Sequence, residues 1–228
     1  MLSWLYDLCW LVFPEVCMAC NKALNTGEKC ICTSCRFRLP KTNYHHDHEN
    51  PVVKQFWGKV PVHSAAAYYH FSKGEKVQRL IHALKYKGKQ EVGIFVGELY
   101  GQELKSSHLF EGISLVVPVP LHPAKLRTRG YNQSDCFAEG LSIAMEIPFD
   151  PNGLKRLKKT ETQTRKHRFD RYRNVDQVFT AGDPDKLSGK KILLVDDVVT
   201  TGSTLIACAE ALLEVPGTQV SIVAIACA

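Results

Sequence analysis

Two adjacent carboxylates near the end of the chain are the strongest candidates for chemistry. Asp196 and Asp197 follow the apolar run 192–195, and after two valines comes a loop of Thr200, Thr201, Gly202, Ser203 and Thr204. Neighbouring carboxylates can accept hydrogen bonds from vicinal sugar hydroxyls or hold a divalent cation. Hydroxyls, backbone N–H groups and a helix N-terminus favour phosphate, and a glycine lets the backbone come close. We therefore predict a buried strand that ends at Asp196 and Asp197 and presents a sugar-phosphate site.

An ordinary parallel strand, followed by a turn and a helix, is the alternative interpretation of this spacing. The full string at 192–204, ILLVDDVVTTGST, resembles the phosphoribosyl pyrophosphate (PRPP) motif of type I phosphoribosyltransferases. Every position of that motif is filled here. The resemblance favours the sugar-phosphate interpretation.

A second polar segment, PVPLHPAKLRTRGYNQS at 118–134, follows another apolar strand at 114–119. Its prolines stiffen the chain after the strand, Gly130 allows a turn, and Asn132 or Ser134 can cap the next helix. Its cations are suited to the pyrophosphate of PRPP, which must be held apart from the 5′-phosphate. They are Lys125, Arg127 and Arg129. A solvated basic turn is the alternative.

Strand and helix patterns alternate along most of the chain. Apolar runs at 60–71, 114–119, 191–195 and 220–226 predict strands, and helical periodicity predicts helices between them. This alternation predicts an α/β fold with a mostly parallel sheet and helices on both of its faces. The length of 228 residues and the hydrophobic content of 45% suffice for one such core and a small appendage.

Four of the nine cysteines have the spacing of a metal site. Cys17 and Cys20 form one CxxC pair, and Cys32 and Cys35 form another after eleven intervening residues. Two such pairs predict a tetrahedral Zn²⁺ site without an open position, which would be structural. Redox-active or simply buried thiols are the alternative, and Cys30 competes with Cys32 as a ligand. The odd cysteine count, without a secretory signal, predicts a reducing, cytoplasmic location.

A polar stretch after the cysteines contains His45, His46 and His48. A histidine cluster can bind metal, but the absence of a partner at fixed spacing favours a solvated linker. We therefore expect an N-terminal helix and cysteine segment at 1–44, a linker at 45–51, and a phosphoribosyltransferase-like domain at 52–228.

The first twelve residues predict an amphipathic helix packed on the protein body. Its apolar side is formed by residues at helical spacing, namely Trp4, Leu5, Leu8, Leu11 and Val12. The segment lacks a basic start and a cleavage pattern and is too short to cross a bilayer, so we expect no stable membrane insertion. Contact with a membrane surface is the alternative.

Charge is concentrated in one stretch. The net charge is +6, and residues 155–173 contain nine Lys or Arg against Glu161 and Asp170. Such a stretch predicts binding of an anion.

Several segments together resemble the ComF family of phosphoribosyltransferase-like proteins. They are the four cysteines, HALKYKGK at 82–89, the segment at 118–134, TETQTRKHRFDRYRNV at 160–175, and the core VDDVVTTGST. They recur in the family's order over nearly the whole chain. The resemblance implies a type I phosphoribosyltransferase fold with a zinc-binding appendage, and a link to natural competence and to DNA imported as a single strand.

The resemblance also implies roles for the site residues. Asp196 and Asp197 would orient the ribose hydroxyls, residues 200–204 would hold the 5′-phosphate, and Mg²⁺ would share the pyrophosphate charge with the cations of 118–134. The stretch 155–173 would occupy the place of the hood that closes over PRPP. Its candidate residues are Lys158, Lys159, Gln163, Arg165 and Arg168.

Two functions follow from these features. The first is a phosphoribosyltransferase with an unknown acceptor. The second is a module that binds PRPP or single-stranded DNA, acts with competence proteins, and transfers nothing. Cations interleaved with aromatic rings at 155–173, and a smaller cluster at 85–89, would serve the second function by contacting phosphates and stacking bases.

Overall fold

The computed structural model describes residues 14–157 and 178–228. Their strands are β1 (Ala65–His70), β2 (Leu115–Pro118), β3 (Leu154–Arg156), β4 (Phe179–Ala181), β5 (Lys191–Val199) and β6 (Gln219–Cys227). Their α-helices are α1 (Thr33–Arg38), α2 (Pro51–Lys54), α3 (Lys76–Tyr86), α4 (Gln90–Lys105), α5 (Pro123–Arg129), α6 (Gln133–Met145), α7 (Pro184–Leu187) and α8 (Ser203–Leu213). Short 3-10 helices cover Tyr44–His46 and His108–Phe110.

The main sheet has four strands in the order β1-β6-β5-β2, and all neighbours are parallel. Parallel strands need crossover connections, and here helices provide them and cover the sheet. The predicted α/β class is confirmed. Strands β3 and β4 form a separate antiparallel pair, and residues 158–177 connect them along the chain.

Alternate side chains of the sheet enter two different cores. Leu193 and Val195 of β5 lie in the core formed with α3, α4 and α6. Ile192 and Leu194 lie in the core formed with α8 and the segment around Phe56. This is the period of two that a strand imposes on its side chains. The helices therefore cover both faces, as the sequence predicts.

Helices α4 and α6 approach each other so closely that glycine is required at their contact. A Cβ atom on Gly140 would collide with the carbonyl oxygen of Ile94 and lie 2.9 Å from the backbone nitrogen of Glu98. A Cβ atom on Gly97 would collide with the carbonyl oxygen of Phe137. The contact fixes α6 against the body of the protein.

Strand β5 is longer than the sequence indicates. It continues through Asp196 and Asp197 to Val199, and Val199 still pairs with Cys227 of β6. The prediction that the strand ends at the two carboxylates is therefore wrong. The reason is that β6 extends equally far and offers hydrogen-bond partners beyond the acidic pair, which a local pattern does not reveal.

The expected linker is packed against the domain at two positions. His45 and Asn50 are only 2% and 1% exposed, whereas His46 and His48 are exposed. The Asn50 amide donates to the carbonyl of Ala65 in β1 at 2.8 Å, and the Ser107 hydroxyl donates to the carbonyl of His45. A solvated linker is therefore the wrong description of His45 and Asn50. The division at 45–51 stays a prediction.

Two expected features lie outside the described residues. They are the N-terminal amphipathic helix and the hood candidates Lys158, Lys159, Gln163, Arg165 and Arg168. Within residues 14–157 and 178–228, no helix has both the length and the apolar character that a membrane span requires.

The α4–α6 contact gives a test of the fold. Gly140→Ala should lower the free energy of unfolding by about 2 kcal/mol, because backbone collision outweighs the gain of about 1 kcal/mol in helix propensity. Chemical denaturation measures this difference. Glu139→Ala, an exposed neighbour on the same helix, is the control and should leave stability unchanged or raise it. Equal stability of both variants would contradict the packing described here.

Candidate functional site

The site lies at the end of β2, beside the acidic pair within β5. The two strands are parallel neighbours, with Pro118 opposite Val195, and the backbone N–H of Val119 donates to the carbonyl of Val195 at 2.9 Å. The basic segment that follows β2 therefore leaves the sheet beside Asp196. In parallel α/β sheets, ligands bind at this edge.

Asp197 is a buried carboxylate with one paired and one unpaired oxygen. The residue is 5% exposed, and its Oδ1 lies 2.8 Å from Nζ of Lys85 at the end of α3. Its Oδ2 is buried and has no hydrogen-bond partner within the described part of the chain. A buried charged oxygen without a partner is costly, so this atom is suited to a ligand that donates a hydrogen bond or to a cation.

Asp196 accepts a hydrogen bond from a residue of α6. Its Oδ1 accepts a hydrogen bond from the hydroxyl of Ser134 at 3.0 Å and another from the backbone N–H of Asp197 at 2.8 Å. Burial and the adjacent charge of Asp197 raise the pKa of Asp196 to about 7. Both effects oppose a second negative charge in the same small space.

The loop after β5 has the features of a phosphate site. Gly202 has φ of 73° and precedes α8, and its position has no side-chain cap. A Cβ atom there would lie 3.3 Å from Cε1 of Phe56. The residues of the loop that carry hydroxyls are exposed, and the hydroxyl oxygens of Thr201 and Ser203 lie 3.0 Å apart. The first N–H groups of α8 and these hydroxyls are the donors that an anion needs.

The basic segment after β2 contains a short helix. Helix α5 begins with Pro123, whose missing N–H suits a first turn, and it ends at Gly130 with φ of 85°. Lys125 and Arg127 are exposed on it. Arg129 is fixed, because its guanidinium donates to the Gln133 side chain and lies 5.7 Å from the ring centre of Tyr86.

Asn132 links the end of β2 to the start of α6. Its side-chain oxygen caps α6 by accepting from the backbone N–H of Ser134, as expected. Its Nδ2 donates to the carbonyl of Val119 at 3.0 Å and to Asp135 at 2.6 Å. These bonds fix the start of α6 beside the end of β2. They therefore place the Ser134 hydroxyl next to Asp196.

The four predicted cysteine ligands come together in a separate cluster. The sulfur atoms of Cys17, Cys20, Cys32 and Cys35 all lie within 4.8 Å of one another, so this cluster could hold a metal ion such as zinc. Burial raises the pKa of the Cys20 thiol, but hydrogen bonds from the Lys22 backbone and the neighbouring thiols together lower this pKa to about 7.

Cys30 lies apart from this cluster. Its thiol contacts the carbonyl of Glu91 at 3.7 Å, and burial raises its pKa to about 12. A high pKa disfavours the thiolate that metal binding requires. Within the described chain, the tertiary structure groups Cys32, and not Cys30, with the other three thiols.

Comparisons with known proteins agree with this architecture. Residues 137–227 match the family described as the phosphoribosyl transferase domain. Competence protein F of Haemophilus influenzae is 27% identical over 83% of this chain and 86% of its own length. DNA utilization protein YhgH of Escherichia coli K12 is 29% identical over 90% of each chain. Competence protein ComFC of Bacillus subtilis is 34% identical over 44% of this chain and 38% of its own.

These similarities support a ComF-family phosphoribosyltransferase-like protein. Its main domain is therefore of the type I phosphoribosyltransferase kind. Among solved structures, a glutamine PRPP amidotransferase from B. subtilis in complex with ADP and GMP is similar at 20% identity and a TM-score of 0.42. That similarity covers 62% of this chain and 30% of the other.

Two residues of this site are not identified by the sequence. The sequence indicates Lys85 only as part of a basic cluster, yet its ammonium group pairs with Asp197. The sequence indicates Ser134 only as a candidate helix cap, yet its hydroxyl donates a hydrogen bond to Asp196. No local signal identifies either pairing, because Lys85 and Asp197 are brought together only by the packing of α3 against the sheet.

The acidic pair predicts an unusual dependence of stability on pH. In the unfolded chain Asp196 ionises near its ordinary pKa of about 4, whereas in the folded protein its pKa is about 7. The unfolded state therefore releases this proton first, and stability falls as pH rises from about 4 to about 7. Asp196→Asn should remove this loss.

In metal-free buffer, Asp196→Asn should be more stable than the wild type at pH 8. The difference in the free energy of unfolding between Asp196→Asn and the wild type should be about 2 kcal/mol smaller at pH 5 than at pH 8. Urea denaturation at both pH values measures it. A difference that stays constant between them would contradict the stated environment of Asp196.

Proposed function

We propose that this protein binds PRPP together with Mg²⁺ at the end of β2, beside Asp196 and Asp197 of β5. The observation that carries this proposal is the buried, unpaired Oδ2 of Asp197, which lies in the strand that leads into the Gly202 loop. A ribose hydroxyl would supply the missing hydrogen bond. The phosphoribosyl transferase domain supports the same ligand class.

The parts of PRPP find matching groups around this atom. The ribose hydroxyls would bind Asp196 and Asp197, and the 5′-phosphate would bind the loop 200–204 and the first turn of α8. The exposed cations Lys125 and Arg127, with Arg129, would hold the pyrophosphate. The carboxylate oxygens fit Mg²⁺, which binds through one or two carboxylates plus substrate phosphates and would neutralise part of the pyrophosphate charge.

The biological role that we propose is the handling of DNA that has been taken up. Two relatives along nearly the whole chain are named as a competence protein and a DNA utilization protein. We therefore expect competence proteins as partners and a cytoplasmic location. The names of relatives support this role, and the site itself supports only the small ligand.

Two versions of the function differ in chemistry. In a transferase, a nucleophile would form a bond to C1′ of PRPP and lose its proton while the C1′–oxygen bond breaks and pyrophosphate leaves. In a binding module, PRPP or single-stranded DNA would be bound without reaction. Exposed Arg79 and Lys87 on and after α3 favour binding of a longer anion as well.

Isothermal titration of the purified protein with PRPP and Mg²⁺ tests the proposed ligand. Asp197→Asn should weaken binding by roughly 10- to 100-fold, because hydrogen bonds to a charged group contribute about 1.5–3 kcal/mol. Glu139→Gln, which changes an exposed carboxylate on α6, is the matched control and should bind as the wild type does.

The outcomes of this titration differ clearly. Absence of PRPP binding by the wild type, or equal binding by Asp197→Asn, would refute the proposed site. If PRPP binds, release of pyrophosphate with a panel of bases and amines would identify a transferase. Binding without release across the panel would favour the binding module.

We also propose that the cysteine cluster holds one structural Zn²⁺ ion. A Zn–S distance of about 2.3 Å gives a tetrahedron whose edges are about 3.8 Å. The sulfur atoms of Cys20 and Cys32 lie 3.8 Å apart, and the backbone N–H of Cys32 donates to Cys17 at 3.3 Å. Four ligands leave no position for substrate, and the ion would stabilise this segment.

Metal analysis of the purified protein tests the zinc proposal. We expect one zinc per chain in the wild type, and Cys17→Ser should lose the metal and melt at a lower temperature. Cys30→Ser changes another buried cysteine outside the cluster and should retain the metal. Metal retention by Cys17→Ser would show that the four thiols have another role.

A further inference from the structure

A groove with a largely apolar lining is formed where α1, α4 and α6 adjoin. Its volume is about 380 Å³, and Arg36 of α1 contributes to its wall. The apolar side chains that line it come from α4 and α6, namely Phe95, Leu99, Ile143 and Ala144. Ile143 is 55% exposed. An exposed apolar groove of this kind is a surface on which another segment or molecule can pack.

The 13 residues that precede Pro14 are an apolar segment that needs such a surface. Ser3 and Asp7 interrupt a run of otherwise apolar and aromatic residues. The apolar side of the predicted helix includes Leu8 and Leu11, and Asp7 lies at its border because it is four residues before Leu11. A helix of about 13 residues is marginal in water by itself, so it depends on tertiary packing.

The start of the described chain lies within reach of the groove. Pro14 is three residues before Cys17, and the sulfur of Cys17 lies within 4.8 Å of that of Cys35. Arg36 follows Cys35 directly, so Pro14 is at most about 25 Å from Arg36 along these spans. A segment of 13 residues covers about 20 Å as a helix and about 43 Å when extended. It can therefore reach the groove.

The charges of the groove are complementary to the charge of the segment. Asp7 is the only charged side chain in residues 1–13. Glu98 of the groove is paired with Lys29 at 3.6 Å, whereas Arg36 forms no ion pair with any residue of 14–157 or 178–228. A pair of opposite charges fixes the orientation of a docked element more than its affinity.

We propose that residues 1–13 dock as a helix in this groove of their own chain, with Asp7 paired to Arg36. The apolar side of the helix would cover Phe95, Leu99 and Ile143, and it would join the cysteine segment to helices α4 and α6. A second copy of the chain and a membrane surface are the competing partners of this helix. The docking is independent of the proposed function, because it involves neither the acidic pair nor the loop 200–204.

Fluorescence of Trp4 in the full-length protein measures the docking. Trp10→Phe with Trp57→Phe leaves Trp4 as the one tryptophan of the three in the chain. Docking should protect Trp4 from quenching by acrylamide. Ile143→Glu places a charge in the groove and should raise the quenching constant by roughly 3- to 10-fold, because an unpaired charge is costly in an apolar contact.

Leu126→Glu is the matched control, because it makes the same change at an apolar residue of α5 with 42% exposure outside this groove. It should leave the quenching of Trp4 unchanged. If melting curves show that Ile143→Glu is unfolded, Leu8→Glu gives the same test from the side of the segment.

Exchange of the two charges tests the orientation of the docked helix. Asp7→Arg would place two arginines together and should raise the quenching of Trp4, because adjacent like charges are costly in a contact. Addition of Arg36→Asp should then return the quenching constant to within about twofold of the wild-type value. Absence of this rescue would overturn the proposal.

The remaining outcomes separate the possible partners of the segment. Strong quenching of Trp4 in the wild type, or equal quenching in the wild type and Ile143→Glu, would overturn the proposal. Docking within one chain predicts protection that is unchanged on dilution. Protection that is lost on dilution, together with a dimer in sedimentation, would identify a second copy and overturn the proposal. Protection that requires vesicles of phosphatidylcholine and phosphatidylglycerol would identify a membrane surface and also overturn it.

Discussion

Two like charges on consecutive residues of a buried strand are the constraint around which this site is organised. Asp196 and Asp197 repel each other, and burial makes each charge harder to maintain, so each carboxylate needs a partner from another element. Lys85 of α3 and Ser134 of α6 are those partners. Within the described residues, Oδ2 of Asp197 is buried without a hydrogen-bond partner, and a ligand would supply one.

The surrounding structure supplies these partners through close packing. Helix α6 reaches Asp196 because Gly97 and Gly140 let it approach α4 at backbone distance, and because Asn132 fixes its first turn beside β2. Helix α3 reaches Asp197 because Leu80 and Leu84 are fully buried in the core with Leu193 and Val195. The apolar cores thus position polar groups that would otherwise be free to turn toward water.

The cysteine segment belongs to the same packed body. Cys17, Ile31 and Cys35 lie in one core with residues of α3 and α4, and Lys29 pairs with Glu98 at 3.6 Å. A segment of this size buries little surface by itself. The four clustered thiols and the contact with a larger core together explain how it keeps a folded structure. The cysteine segment shares this core with α3, and Lys85 near the end of the same helix reaches Asp197.

The sequence alone determined the α/β class, the helix and strand alternation, the grouping of four cysteines by spacing, and the loop from Thr200 to Thr204, because these depend on local periodicity and motifs. Only the tertiary structure decided that β5 continues past the acidic pair, since pairing with β6 is non-local. It also decided that Lys85 and Ser134 serve that pair, that His45 is buried, and that Tyr86 lies beside Arg129. Each of these depends on residues far apart in the chain, whose contacts are set by packing and not by local pattern.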